Sequence, residues 1–292
     1  GLAYDTLSQN YSDLDILTSN KYSYETQVSK AGTAIKYSKN GLNLNSGVDF
    51  QTSTFDGKEM YPTTFDVNHI YNNVLPKADL FYHFNSMGFM HINYRTTASL
   101  PSLSQLQNIL DYSDPMNLYI GTPTLDQQYK HSFHVAFHKI DSTRTKNLFV
   151  VATASISDNY IANSTYTSLV DSLIYNNILL NKGVKLTYPV NMTGYRSYSL
   201  FTTYSLPVSL IHCNWNIYGN YNYSSIPSII NDLKNNAVTN SVGGGTGFVS
   251  NISKNVDFRI SQSLKYNTVE NSLSQYSNSS YISATTSFNM NL

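Results

Sequence analysis

The sequence predicts an all-β protein, an antiparallel transmembrane β-barrel whose strands cross a membrane at a tilt. Three observations carry that prediction. First, residues 255–267 alternate with period two. Val256, Phe258, Ile260, Leu264 and Tyr266 fall on one side and Asp257, Arg259, Ser261, Ser263 and Lys265 on the other, with Gln262 the one break in the apolar series. A helix would scatter those apolar residues round its circumference, whereas a strand gathers them on one face. The run is longer than the ~5–6 residues of an ordinary strand and suits the ~9–11 residues of a tilted membrane strand. Second, charged residues make up 12% of the 292 and aromatics 13%, with 25 Tyr against one Trp. The usual charged share is ~25%. A chain polar in hydroxyls and amides rather than in charge fits strands with one apolar and one hydrated face. Third, the connections read as short turns alternating with longer loops. Outer-membrane barrels show that asymmetry, with short periplasmic turns and long extracellular loops.

Taken in order, residues 5–20 read as a polar loop and 21–38 as extended chain. Lys39-Asn40-Gly41 makes a hairpin turn, because Asn and Gly tolerate positive φ. Leu42, Leu44, Val48 and Phe50 then alternate with Asn43, Asn45, Asp49 and Gln51, and 55–65 reads as a longer loop. A strand over 76–85 turns at 86–88 into Met90, Ile92 and Tyr94, opposite His91, Asn93 and Arg95. Residues 99–128 form the longest irregular stretch. It holds a two-turn helix that Ser102 caps, with Gln105 three residues on and Leu103, Leu106 and Ile109 along one side. Strands follow at 129–140 and 148–156, and a second long loop at 163–180. Residues 183–206 are extended, and Ile211, Cys213, Trp215, Ile217, Tyr221 and Tyr223 alternate with His212, Asn214, Asn216, Asn220 and Asn222. The stretch 224–236 reads as loop. The strand at 237–251 carries Gly243, Gly244, Gly245 and Gly247, which suit a bend or a close approach. A loop at 270–279 leads to one last strand. The expected total is about eleven strands in a single domain over 1–292. Tyr94, Tyr129, Tyr160, Tyr221, Tyr223, Tyr266 and Tyr281, near strand ends, suit aromatic girdles at the two interfaces.

Several function classes are disfavoured. The 18 basic and 18 acidic residues cancel, so no basic field points to nucleic acid. Cys213 is the only cysteine, which excludes an internal disulfide and a Cys-based metal site. No apolar run approaches the ~18 residues of a membrane helix. The opening Gly1-Leu2-Ala3-Tyr4 lacks the pattern of a signal peptide, so the chain is expected to be processed or to come from a longer one. His131, His134 and His138 suggest a metal at first sight. On a strand, however, His134 and His138 lie ~13 Å apart and His131 points the other way. No nucleophile, base and orienting carboxylate converge, so no catalytic, metal or cofactor site is expected. The lumen-lining candidates are His212, Asn214, Asn216, Asp257, Arg259 and Lys265. Val256, Phe258, Ile260, Trp215 and Ile217 should face lipid.

Residues 101–107 (Pro-Ser-Leu-Ser-Gln-Leu-Gln), then Asp114-Pro115 and Gly121-Thr122-Pro123-Thr124-Leu125, resemble a loop of the outer-membrane β-barrel family of TonB-dependent receptors. Pro76-Lys77-Ala78-Asp79-Leu80, Asn93-Tyr94-Arg95-Thr96 and the Lys39-Asn40-Gly41 turn fit the same resemblance. It implies a larger barrel of the 22-stranded type, closed by a plug, in the cell outer membrane. The implied function is nutrient uptake driven by the TonB system through a plug outside these residues. A surface lipoprotein is a further expected partner, besides outer-membrane lipid. Ser102, Gln105, Gln107, Asp114, Thr122 and Thr124 are the extracellular-loop candidates for contact with cargo or partner. The alternative is a non-transporting outer-membrane scaffold that binds surface lipoproteins or serves an export or assembly complex. Eleven antiparallel strands would leave two open edges, each with about half the backbone groups of a ~10-residue strand unpaired in lipid. A barrel completed by further strands is therefore expected.

Overall fold

The computed structural model describes residues 2–5, 10–14, 21–61, 65–85, 87–141, 146–174, 178–250 and 257–291. They are mostly strand. In chain order the strands begin with β1 (Leu2–Asp5), β2 (Asn10–Leu14), β3 (Lys21–Lys39), β4 (Leu42–Tyr61), β5 (Phe65–Asn85) and β6 (Gly88–Ser99). After helix α1 (Leu103–Leu106) come β7 (Leu110–Asp111), β8 (Asn117–Ile120), β9 (Gln128–Asp141), β10 (Lys146–Asp158) and β11 (Tyr160–Thr167). Then follow β12 (Ser172–Ile174), β13 (Ile178–Leu180), β14 (Lys185–Met192), β15 (Tyr195–Val208), β16 (Cys213–Ile230), β17 (Leu233–Ser250), β18 (Asp257–Asn271) and β19 (Ser279–Asn291).

Among the described residues the principal sheet has fifteen strands, not the expected eleven. Eleven of them are long and form an antiparallel meander in the order β3-β4-β5-β6-β9-β10-β15-β16-β17-β18-β19. The other four, β11, β14, β8 and β7, come from stretches read largely as loop or as one extended run. They branch from the far end of β16, where β11 pairs in parallel through Ser164 with Ile229 and Thr165 with Ile230. This branch, α1 and β13, with the connections that join them, make up the annex. β1–β2 and β12–β13 are separate two-stranded pairs, so the expected 5–20 loop contains part of a hairpin.

Other differences have local causes. The expected 224–236 loop is mostly strand, because Asn231 and Asp232 take left-handed φ values of 46° and 64° and make a two-residue turn. It breaks the expected strict alternation of short and long connections. The run over 183–206 is two strands, parted at Gly194 with φ 106°. β4 and β5 stay paired out to Glu59 and Phe65, beyond the expected loop start at 55. The helix is one turn, with the expected capping box in place. Ser102 Oγ accepts from Gln105 N, and Gln105 Oε1 accepts from Ser102 N. Val256, an expected lipid-facing residue, lies outside the described residues.

Register makes the two faces explicit. Leu44 pairs with Leu80, Leu80 with Ile92, Ile92 with Val135, Val135 with Ala152 and Ala152 with Leu200. The line continues through Tyr221, Val242, Tyr266 and Ile282. All ten positions lie on one face, and each strand repeats the pattern at its neighbouring even steps. The result is a continuous apolar belt. Its windows, such as 42–50, 74–82, 148–156, 215–223 and 258–266, are nine residues long, matching a belt ~25 Å tall on tilted strands. At one edge of the belt Tyr94 stacks on Phe133 (4.7 Å between ring centres) and Tyr198 on Tyr223 (5.5 Å). At the other, Phe84 packs with Phe137 (5.6 Å) and Trp215 with Phe248 (6.1 Å). Two expected girdle residues depart from this. Tyr281 has the parity of the opposite face, and Tyr160 stacks on Tyr195 in the annex region at 4.4 Å.

Among the described residues no helix is long and apolar enough to cross a membrane, which leaves strand crossing untouched. The sheet is not closed on itself among the described residues. Its edge strands β3 and β19 stand ten steps apart in an antiparallel series, so they run in the same direction. An all-antiparallel barrel cannot be closed by pairing two such strands directly.

Candidate functional site

The polar face carries the chemistry. Asp49 takes both Lys77 Nζ contacts (2.6 and 2.8 Å) and an ion pair with Lys30 at 3.1 Å. The pairing is cross-strand, since Lys30, Asp49 and Lys77 come from β3, β4 and β5. Next along β5, Asp79 accepts from Asn93 Nδ2 (2.9 Å) and lies 2.6 Å from His91 Nε2. The alternation of 42–51 put Asp49 on the polar side of its strand, but which strands lie side by side was not visible.

Above the belt, on the side of the longer connections, the same face of β4 and β5 receives the annex. Phe55 is buried against Leu106 and Leu125, with Leu103 and Ile161 around them. Four polar contacts line the seam. Asn73 and Gln127 exchange carboxamide hydrogen bonds (3.1 and 2.7 Å), and Tyr71 Oη donates to the Leu125 carbonyl (3.0 Å). His69 Nε2 lies 3.0 Å from the Pro123 carbonyl oxygen, a contact that a protonated Nε2 makes by donating. At its other end the annex is hydrogen-bonded to β16. β6, β9, β10 and β15 lie between β5 and β16, so the annex crosses the polar face to reach both. That face is the inward one, and the apolar belt faces out.

The annex has its own apolar core of Leu118, Ile120, Leu180, Val184 and Leu186. Gly121 belongs to its tightest contact. A Cβ there would stand 2.4 Å from the Gln107 carbonyl oxygen, which instead accepts from Gly121 N at 2.8 Å. Of the extracellular-loop candidates, Ser102 and Gln105 cap α1 and Gln107 makes this backbone contact. Thr122 Oγ1 donates to the Pro189 carbonyl (2.8 Å), and Asp114 accepts from Met116 N (3.0 Å) and Asn117 Nδ2 (2.8 Å). Thr124 is exposed. The Asn117 and Met116 bonds hold the Asp114 carboxyl below its ordinary range, and two bonds from Ser113 do the same for Asp111. Burial pushes the Tyr119 hydroxyl up.

Of the lumen candidates, Asn214, Asn216, Arg259 and Lys265 have the parity of the inward face, and Asp257 pairs with Asn291 at the start of β18. His212 does not line a wall. It sits in the connection before β16, exposed, with a left-handed φ of 49°. Of the lipid candidates, Trp215, Ile217, Phe258 and Ile260 lie on the belt. His131 is on the belt side too, where its Nδ1 meets the Tyr94 hydroxyl at 2.9 Å, while His134 and His138 face inward. The glycines of β17 answer to close approach. A Cβ on Gly245 would meet the Tyr218 ring at 2.5 Å, because that ring covers it from the neighbouring strand.

A sheet with an outward apolar belt, aromatic edges and a polar inner face defines the wall of a membrane-spanning barrel. The family model described as outer membrane protein beta-barrel family matches residues 1–292. The chain belongs to that family, and it is a protein of the outer membrane. No curated protein matches it. Among solved structures it is similar to a mutant of the ferric enterobactin receptor PfeA from Pseudomonas aeruginosa in complex with enterobactin. That match has 10% identity over 83% of this chain and 49% of the receptor, with a TM-score of 0.36. PfeA in complex with BCV-L6 gives 9% identity, the same 83% and 49%, and a TM-score of 0.35. The chain spans about half the length of those structures.

Proposed function

We propose that this chain forms part of the barrel wall of a TonB-dependent receptor that takes up a nutrient too large for simple porins. The observation that supports this best is the annex. A folded, hydrogen-bonded layer held across the inward face on the long-connection side is suited to meet cargo at the mouth, because long connections on a rigid barrel carry recognition. The eleven-strand meander also exceeds the eight strands of the smallest barrels, which side chains fill. In this reading the same-direction edges of β3 and β19 are joined by further strands of a larger barrel. The plug and the TonB contact lie outside these residues, and the chain itself has no catalytic role.

Growth of two deletion strains, one lacking the whole protein and one lacking TonB, tests the reading across a panel of iron chelates, cobalamin and oligosaccharides. The expected result is loss of growth on the same nutrient in both. Unimpaired growth on every nutrient, together with loss of a surface lipoprotein from the cell, would instead establish the scaffold alternative.

A further inference from the structure

The annex contains a half-open cleft of about 470 Å³, within the ~300–1,000 Å³ of small-molecule sites. It is formed where the end of α1 and strands β7 and β8 meet, and none of its lining residues belongs to the Phe55 cluster. Tyr112 and Tyr119 supply two aromatic rings, Ile109 and Leu110 aliphatic surface, and Asp111, Gln107, Ser104 and Ser113 polar groups. Tyr112 is half exposed and Tyr119 partly buried, so the rings form wall rather than core.

The chemistry of this lining excludes most ligand classes. Among the described residues no Lys, Arg or His lines the cleft, so phosphate, sulfate and carboxylate ligands have no counter-charge there. Its one carboxylate already accepts from Ser113 N at 2.9 Å, which leaves too few oxygen ligands for a divalent cation. A wholly apolar ligand would leave the carboxylate, carboxamide and hydroxyls desolvated without partners. An uncharged, hydroxyl-rich molecule with an apolar ring face meets every condition. Its ring face packs on a tyrosine, and its hydroxyls donate to Asp111 and Gln107 and accept from the tyrosine hydroxyls.

We propose that the cleft between α1, β7 and β8 binds a neutral oligosaccharide. The proposal rests on the annex lying outside the membrane, as in the function proposed above, but it does not require transport.

The test is saturation-transfer NMR with the whole protein in detergent micelles, using maltotriose, cellotriose, mannotriose and xylotriose as probes and a trigalacturonate as the charged control. Expected is saturation of ring protons of at least one neutral trisaccharide. Tyr112→Ala should weaken that binding about tenfold or more, and Gln107→Ala should weaken it too. Trigalacturonate should give no signal. Absence of signal from all four neutral probes, or equal binding by wild type and Tyr112→Ala, overturns the proposal. Tyr112 is exposed, so its truncation should leave the fold intact, and unchanged protease resistance of the annex checks this. Trisaccharide binding in a protein whose deletion affects no nutrient would leave the cleft established and the transport reading refuted.

Discussion

The belt and the annex are built from the same residue types by opposite rules. On the wall the large apolar side chains are the exposed ones, with Ile282 71% and Leu264 58% accessible, while Ser157, Ser241 and Asn267 are buried. In the annex Leu180 and Leu186 are 0% and 1% accessible, and the polar groups cap, staple or face outward. The difference is one of solvent. Hydrocarbon rewards apolar exposure and forbids unpaired backbone, so the wall is a hydrogen-bonded sheet turned greasy side out. Water rewards burial, so the annex collapses round two small cores.

The largest effect that would sharpen this contrast is Phe55→Ala. It removes the side chain joining wall to annex and should cost ~3–5 kcal/mol, read as faster hydrogen exchange in residues 103–125 with the belt amides unchanged. Simultaneous loosening of the belt would show that the two regions are one cooperative unit. Next is Ile260→Arg on the belt, which should cost ~2–4 kcal/mol when urea unfolding is followed in bilayers. Stability equal to wild type would mean the faces are assigned the wrong way round. Ser102→Ala removes the cap of α1 and should loosen the annex by ~1 kcal/mol without touching the wall.

The smallest effect is one of pH. The carboxyls of Asp111 and Asp114 are held below their ordinary 3.8 by hydrogen bonds in the folded annex. Their contribution is therefore fully present above 3.8 and is lost as pH falls through the lower folded values. Exchange across residues 110–117, corrected for intrinsic rate, should rise on acidification from pH 5 to pH 2. A flat profile would deny those bonds a stabilising role.

The wall was largely legible in the sequence because a period of two writes the face of every strand directly. Leu42 to Phe50 and Phe258 to Tyr266 show their sides without any neighbour. The turn at Asn40-Gly41 was legible for the same local reason, and Asn231-Asp232 was missed although both residues tolerate positive φ. The annex was not legible. Its strands are two to eight residues long, and β11 and β14 depend on partners far along the chain, such as Thr165 with Ile230 and Leu186 with Leu118. Ser102 and Gln105 gave away α1 through their capping box, but nothing local ties Phe55 to Leu125 or Asn73 to Gln127. The Lys30–Asp49–Lys77 cluster was hidden in the same way, because it takes three strands to assemble.

The central claim is that the period-two apolar face meets lipid. The single tryptophan tests it without labels. Trp215 lies on that face at one edge of the belt, stacked on Phe248 and donating to Thr246 Oγ1 at 2.5 Å. In bilayers containing acyl-brominated lipids its fluorescence should be strongly quenched, most by bromines nearest the headgroup, and aqueous iodide should have little effect. Strong iodide quenching with no response to brominated lipid would contradict the account.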